Sequence, residues 1–387
     1  ILINANADVD FVNNYRGDDC TALHLAAESK SLEKVKLLVE AKAALHALDG
    51  KKATAVDIAL DGGRSDVAQL LLDAKAFPRE SLQRMYNACI DGRADDVKSL
   101  LDAGYPLYLR DERGLSPLLF ATRYSHDEVA KLLIGAKAEV NVKNEYGMTP
   151  LLYSTGKGQT DISKLLIVAQ ARVNACCQDR TPLINSVHKG DDDVTKLLID
   201  SRADVNLKPH DAAPTALYCA AECGNVNAAR MLIDAKADFT SGRFFKTPLG
   251  CAAEHGKLDV MKLLLEANAP VNGGTVPLVS AAYGGSAEAV QILLDAKASL
   301  ESRNSYGCSP LSMAISCRHA HVVNTLVTAK AALVSPPGID DALTVAAKFD
   351  ATDIMKILID AKAPLETSDK CSPLKRAVES GNLSAVQ

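Results

Sequence analysis

The chain contains no tryptophan, and its seven Phe and ten Tyr make up only 4% of its residues. A core built with so few aromatics must be filled by Leu, Ile, Val and Ala, which fits a hydrophobic share of 48%. No apolar run approaches the ~18 residues that a membrane-spanning helix needs, so direct membrane insertion is not expected. Positive charge is not in excess either. The 43 Lys and Arg face 48 Asp and Glu, for a net charge of −5, whereas a dedicated nucleic-acid binder is usually basic along one face.

Motifs that carry chemistry are also missing. There is no phosphate-cradling GxxxxGK[ST], no GxSxG elbow and no carboxylate pair in a pocket-like context. Gly62-Gly63 and Gly284-Gly285 read as turns between helices. His319 and His321, with Cys317 nearby, stand two residues apart and so do not share a helix face. Cys219 and Cys223 do share one, but third and fourth metal ligands are lacking. No catalytic residue, cofactor or metal is expected. The ten cysteines fall irregularly, which predicts reduced thiols and an intracellular, cytoplasmic setting rather than a disulfide framework.

What is present is repetition. Residues 247–272, TPLGCAAEHGKLDVMKLLLEANAPVN, hold two short amphipathic helical patterns back to back. Thr247 offers a capping hydroxyl, and Pro248 takes the first helical position, where a missing N–H costs nothing. Leu249, Ala252 and Ala253 share one face, Gly256 ends the first helix, and Val260, Leu263 and Leu264 stripe the second. Neither helix is long enough to stand alone in water, so each must bury its stripe against a neighbour.

The same pattern recurs with caps expected at Thr21, Thr54, Gln83, Ser116, Thr149, Thr181, Thr215, Thr247, Val276, Ser309, Asp341 and Ser372, at intervals of 29 to 34 residues. Five residues beyond each cap the side chain is always small, from Ala26 and Ala59 through Ser154 and Ser186 to Ala377. Small residues there let helices of adjacent units approach closely. Twenty-one residues beyond each cap comes a tripeptide that is usually Ala-Lys-Ala, and all variation in length lies in the connector after it. Packed helices with variable loops are what stacked repeats should show.

TALHLAA at Thr21, TPLLYS at Thr149, TPLGCAAEHG at Thr247 and the recurring LLxxAxAxVN resemble ankyrin repeats, whose period is near 33 residues. The resemblance covers the whole chain. It implies an all-α repeat solenoid of stacked helix-turn-helix units with short β-hairpin fingers, curved with a concave recognition face. Residues 1–387 are then one array, expected to be truncated at both ends, because 1–9 and the last residues each hold part of a unit. Between Lys75 and Gln83 the connector shrinks to AFPRESL, too short for a finger, and a weak joint is expected near 76–83.

The resemblance places partner contacts on finger tips and on the seventh and eighth positions after each cap. These include Arg123, Tyr124, Tyr146, His188, Lys189, Phe244, Phe245, Tyr283 and Tyr306. Fingers at 110–113, 144–146, 176–180, 210–213 and 243–245 look intact, which favours the middle units, and adjacent Phe244 and Phe245 cannot both face inward. A second surface is a basic ridge at the position where the family often has glycine: Lys42, Lys75, Lys137, Arg202, Lys236, Lys297, Lys330 and Lys362. Its alternative is favourable interaction with helix C-termini, ~0.3–1 kcal/mol each. Members of the family can also be hydroxylated on the asparagine after the second helix, and Asn141, Asn174, Asn206 and Asn272 match that place. The expected function is a non-catalytic scaffold binding a protein partner. Alternatives are a permanent structural subunit of a larger assembly, or a regulatory arm of a longer enzyme or channel.

Overall fold

The computed structural model describes residues 2–5, 7–12, 19–29, 31–111, 113–243, 246–272, 276–334, 341–366 and 372–386. Apart from a 3-10 turn at Ile3–Ala5, the regular structure of the described residues is entirely α-helical, with no extended strand. No helix among them is long and apolar enough to cross a membrane. The chain divides into two compact units, Ile1–Arg172 and Val173–Gln387.

The first unit holds five helix pairs: α1 (Ala22–Glu28) with α2 (Leu32–Glu40), α3 (Ala55–Asp61) with α4 (Ser65–Asp73), α5 (Arg79–Asp91) with α6 (Ala94–Asp102), α7 (Pro117–Tyr124) with α8 (Asp127–Gly135), and α9 (Pro150–Lys157) with α10 (Thr160–Val168). The second begins with α11 (Pro182–Lys189) and α12 (Asp192–Asp200), α13 (Ala216–Cys223) and α14 (Val226–Asp234), then α15 (Pro248–Glu254) and α16 (Leu258–Glu266). It continues with α17 (Pro277–Gly284) and α18 (Ala287–Asp295), α19 (Pro310–Ser316) and α20 (Ala320–Thr328), α21 (Ala342–Lys348) and α22 (Thr352–Asp360), and ends with α23 (Pro373–Glu379) and α24 (Leu383–Val386). Within each unit we call the odd-numbered helices the inner row and the even-numbered ones the outer row. In the second unit each inner helix from α11 to α23 packs on the next.

Local chemistry accounts for the helix starts. The hydroxyls of Thr149, Thr181, Thr215 and Thr247 each accept the N–H three residues on, at 3.1–3.3 Å. At α1 the cap is a side-chain relay. The Ala47 carbonyl can only accept, so His24 donates to it from Nε2 (2.9 Å), leaving Nδ1 to accept the Thr21 N–H (3.1 Å). The small residues five beyond each cap are buried in all twelve units. The two serines among them add bonds to the outer row. Ser163 lies 2.9 Å from Ser154, and Thr195 lies 2.9 Å from Ser186.

Outer helices end by one rule. In α14 the N–H of Lys236 bonds to the carbonyl of Ile233 and that of Ala237 to Leu232, both at 2.9 Å. This is the double bond of a Schellman end, with Lys236 in the left-handed conformation (φ +66°). The equivalent residue in every complete pair, from Lys42 to Lys362, has φ between +60° and +85°.

One cap differs from expectation. Gln83 starts no helix: α5 begins four residues earlier and runs for 13 residues from Pro78 at its N-cap. The connector before it spans only 74–78, against 41–54 before α3 and 103–116 before α7. With no finger to build, residues 79–83 are free to extend the helix. Asp57 stitches this step. Its carboxylate accepts the Thr54 N–H (2.8 Å) and also the Arg79 N–H (3.0 and 3.2 Å), so one side chain serves the first turns of both α3 and α5.

Candidate binding face

Four fingers close by the same local rule. Asp49, Asp111, Asn144 and Asn304 each use a side-chain oxygen to accept the N–H groups two and four residues on, at 2.7–3.0 Å. Each also accepts, on its carbonyl, the N–H three residues on, where Lys52, Gly114, Gly147 and Gly307 have positive φ. Short polar side chains that bond their own backbone make such tips rigid. The finger at 176–180 is closed differently, by an isolated antiparallel bridge between Cys177 and Arg180.

These tips hold out large side chains. Tyr146 and Tyr306 occupy the same place in two fingers and are 69% and 88% exposed. At the ends of inner helices, Tyr124 and Tyr283 are 45% and 53% exposed, and His188 and Lys189 are exposed too. In the first unit Arg123, Tyr124 and Tyr146 are brought into one neighbourhood. The Arg123 guanidinium sits 5.9 Å from the Tyr124 ring centre. The Tyr146 phenol bonds Glu145, whose charge holds its pKa above the usual value against the opposing pull of Arg113 and Arg123. In the second unit the His188 ring is 3.3 Å from the Cys223 thiol. Asp179 joins three fingers there by pairing with both His210 and Arg243 (3.5 Å to the latter). Phe244 and Phe245 lie outside the described residues.

All eight ridge residues are exposed, and none has an ion-pair partner among the described residues. The nearby carboxylates of Asp73 and Asp295 bond Gln69 and Gln291 instead. Below the ridge runs a ladder of side-chain-to-backbone bonds. The side-chain oxygens of Asn141, Asn174, Asn206 and Asn272 accept N–H groups of Arg172, Asp204, Asp238 and Ser299 in the following pair, at 2.7–2.9 Å.

Burial pushes the thiols of Cys89 and Cys251 up to about 12, and that of Cys219 upward as well. His319, read in the sequence beside His321, uses Nε2 to reach the carbonyl of Tyr283 (3.0 Å).

Two grooves open beside the α3–α5 step, and sequence reasoning did not foresee them. One, of about 680 Å³, lies between the 49–53 finger and the ends of α1 and α3, with Leu25, Glu28, Ile58 and Arg64 on its wall. The other, of about 360 Å³, occupies the gap where a finger is absent. Its floor is Leu82, Tyr86 and Ile90 of α5 with Phe120 of α7, and Lys52 and Arg79 border both grooves. Rings continue beneath it, with Tyr86 5.4 Å from Phe120 and Phe120 stacked on Tyr124 at 6.4 Å. The short connector was the signal in the sequence. What it left open was the floor.

Comparison with known proteins places these features. A family model described as ankyrin repeats (three copies) matches residues 1–81, 85–175, 126–209, 183–273 and 249–337. Over 143 residues, 36% of the chain, the sequence is 32% identical to the ankyrin repeat and KH domain-containing protein mask-1 of Caenorhabditis elegans, and the match spans 5% of that protein's length. Among solved structures, the ankyrin repeat domain of human ASB11 aligns over 66% of this chain and 99% of that domain, with 22% identity and a TM-score of 0.44.

Proposed function

The chain belongs to the ankyrin-repeat family, a generic protein–protein interaction module, and we propose that it serves as a non-catalytic scaffold that grips a partner protein with its fingers and inner-helix ends. The observation that carries this reading is the state of Tyr146 and Tyr306: large side chains, largely exposed, on tips locked by their own backbone bonds. An aromatic anchor that is already ordered loses little entropy on binding, and such residues dominate interface energetics. Tyr124 and Tyr283 stand on rigid helix ends in the same way. Phe244 and Phe245 are kept as further anchors on sequence grounds. The non-catalytic part rests on thiols that burial keeps protonated and on a sequence without catalytic motifs.

The test is affinity capture of protein partners with the chain and with a Tyr146→Ala/Tyr306→Ala variant. Loss of a hot-spot aromatic costs on the order of 2 kcal/mol, so capture should fall by more than about tenfold while the melting temperature stays put. Capture that survives this change but is lost on Lys297→Gln/Lys330→Gln/Lys362→Gln would move the contact to the basic ridge.

A further inference from the structure

We propose that the gap left by the absent finger is a docking slot for an extended, acidic segment of a partner protein, with one apolar side chain anchored on α5. The inference rests on the scaffold reading and names the chemistry of one of its contacts.

The slot exists because of a deletion. Where neighbouring connectors rise into fingers, residues 74–78 turn directly into α5, and the 49–53 and 111–115 fingers are left as two walls with a helix between them. Leu48 stands on one wall, 43% exposed, and Leu109 on the other. The floor of Leu82, Tyr86 and Phe120 is buried and closely packed, so it presents a fixed apolar surface rather than one that collapses to fill the gap. At about 360 Å³ the space falls within the range of ligand pockets, ~300–1,000 Å³.

The rim is cationic. Lys52, Arg79, Arg110 and Arg113 border the slot, and among the described residues Asp111 is the one carboxylate that lines it. That carboxylate is already engaged by the N–H groups of Arg113 and Leu115. Arg110 is drawn to Glu139 at 3.2 Å, whereas Arg79 and Arg113 have no ion-pair partner among the described residues. His46, also on the slot, adds no lasting charge, because burial lowers its pKa. In a chain of net charge −5, a group of cations around an apolar floor selects a segment that brings carboxylates beside its anchor. A basic segment with the same anchor would be repelled.

The experiment selects binders from a random-peptide display library on the whole chain, then measures recovered peptides by fluorescence anisotropy. The expected peptides pair a Leu, Ile, Met or Phe with Asp or Glu on either side, and their binding weakens with added salt. Arg79→Glu with Arg113→Glu should reduce it about tenfold or more, and Leu48→Ser should also reduce it, while Lys36→Gln on the exposed side of α2 leaves it unchanged. Both arginine changes are placed to spare the fold. Arg79 opens α5, where an acidic residue suits the helix N-terminus, and Arg113 is on an exposed finger tip. Should the pair nevertheless lower the melting temperature, Arg79→Gln with Arg113→Gln gives the same readout with a smaller expected drop. Peptides that lack acidic residues, that still bind the charge-reversed chain, or that do not enrich at all would overturn the slot. None of these outcomes touches the scaffold reading, which stands or falls with capture of partners by Tyr146 and Tyr306.

Discussion

The imidazole of His46 lies 3.1 Å from the hydroxyl of Tyr108, so two fingers that should have a third between them touch directly. The Lys75 carbonyl, 3.0 Å from Nε2, fixes the tautomer: Nε2 donates, and Nδ1 is left to accept from Tyr108. Phe77 stacks on the same imidazole at 5.9 Å, and Tyr105 lies 5.7 Å beyond it. Beside the slot, the shortened step is therefore bridged by rings.

His46 should make this step acid-sensitive. Burial is the main cause holding its folded pKa below the ordinary histidine value of about 6.5. A depressed histidine pKa means that the unfolded chain takes up the proton first. Its contribution to stability is then complete above about pH 6.5 and is lost as pH falls from there toward the folded value. The stability gap between the chain and a His46→Gln variant, measured by urea unfolding, should narrow from about pH 7.5 to about pH 5.5. A gap that widens on acidification would contradict this assignment.

The inner row should not tolerate bulk. Ala252 and Ala281 are fully buried, and a Cβ added at Gly284 would come within 1.9 Å of the Glu254 carbonyl oxygen. Ala252→Leu, Ala281→Leu and Gly284→Ala should each cost roughly 1–3 kcal/mol by overpacking. Denaturant midpoints would register the loss, and unmoved midpoints would mean that α15 and α17 have room to separate.

Removing one rung of the asparagine ladder should have a smaller effect. Asn206→Ala leaves the Asp238 N–H without its 2.8 Å partner but close to water. A loss of about 0.5–1.5 kcal/mol is expected. Hydrogen exchange at the Asp238 amide should quicken in step, and unchanged exchange would show the bond to be incidental.

The left-handed ridge positions give a graded test. At Lys236 (φ +66°) a Cβ costs roughly 1 kcal/mol that glycine would not incur, partly offset by glycine's greater freedom when unfolded. Lys236→Gly should therefore be neutral or stabilising by up to ~1 kcal/mol, and Lys236→Val clearly destabilising. A valine variant as stable as the parent would place this residue outside the left-handed region.

Sequence by itself determined the repeat, the helix pairing, most of the caps and the family, because those depend on groups a few residues apart. A threonine hydroxyl reaches the N–H three residues on whatever surrounds it, and a small residue five beyond the cap is small in every unit. The ridge residues were legible as a basic series, but their left-handed backbone follows from how each outer helix closes. Tertiary structure alone decided the rest. The start of α5 at Arg79 depends on Asp57, 22 residues earlier, and the floor of the slot on Tyr86 meeting Phe120 from the next pair. His46 finds Tyr108 at a separation of 62 residues. No local pattern encodes such meetings, since each is fixed by where stacking carries a connector once its neighbour has been shortened.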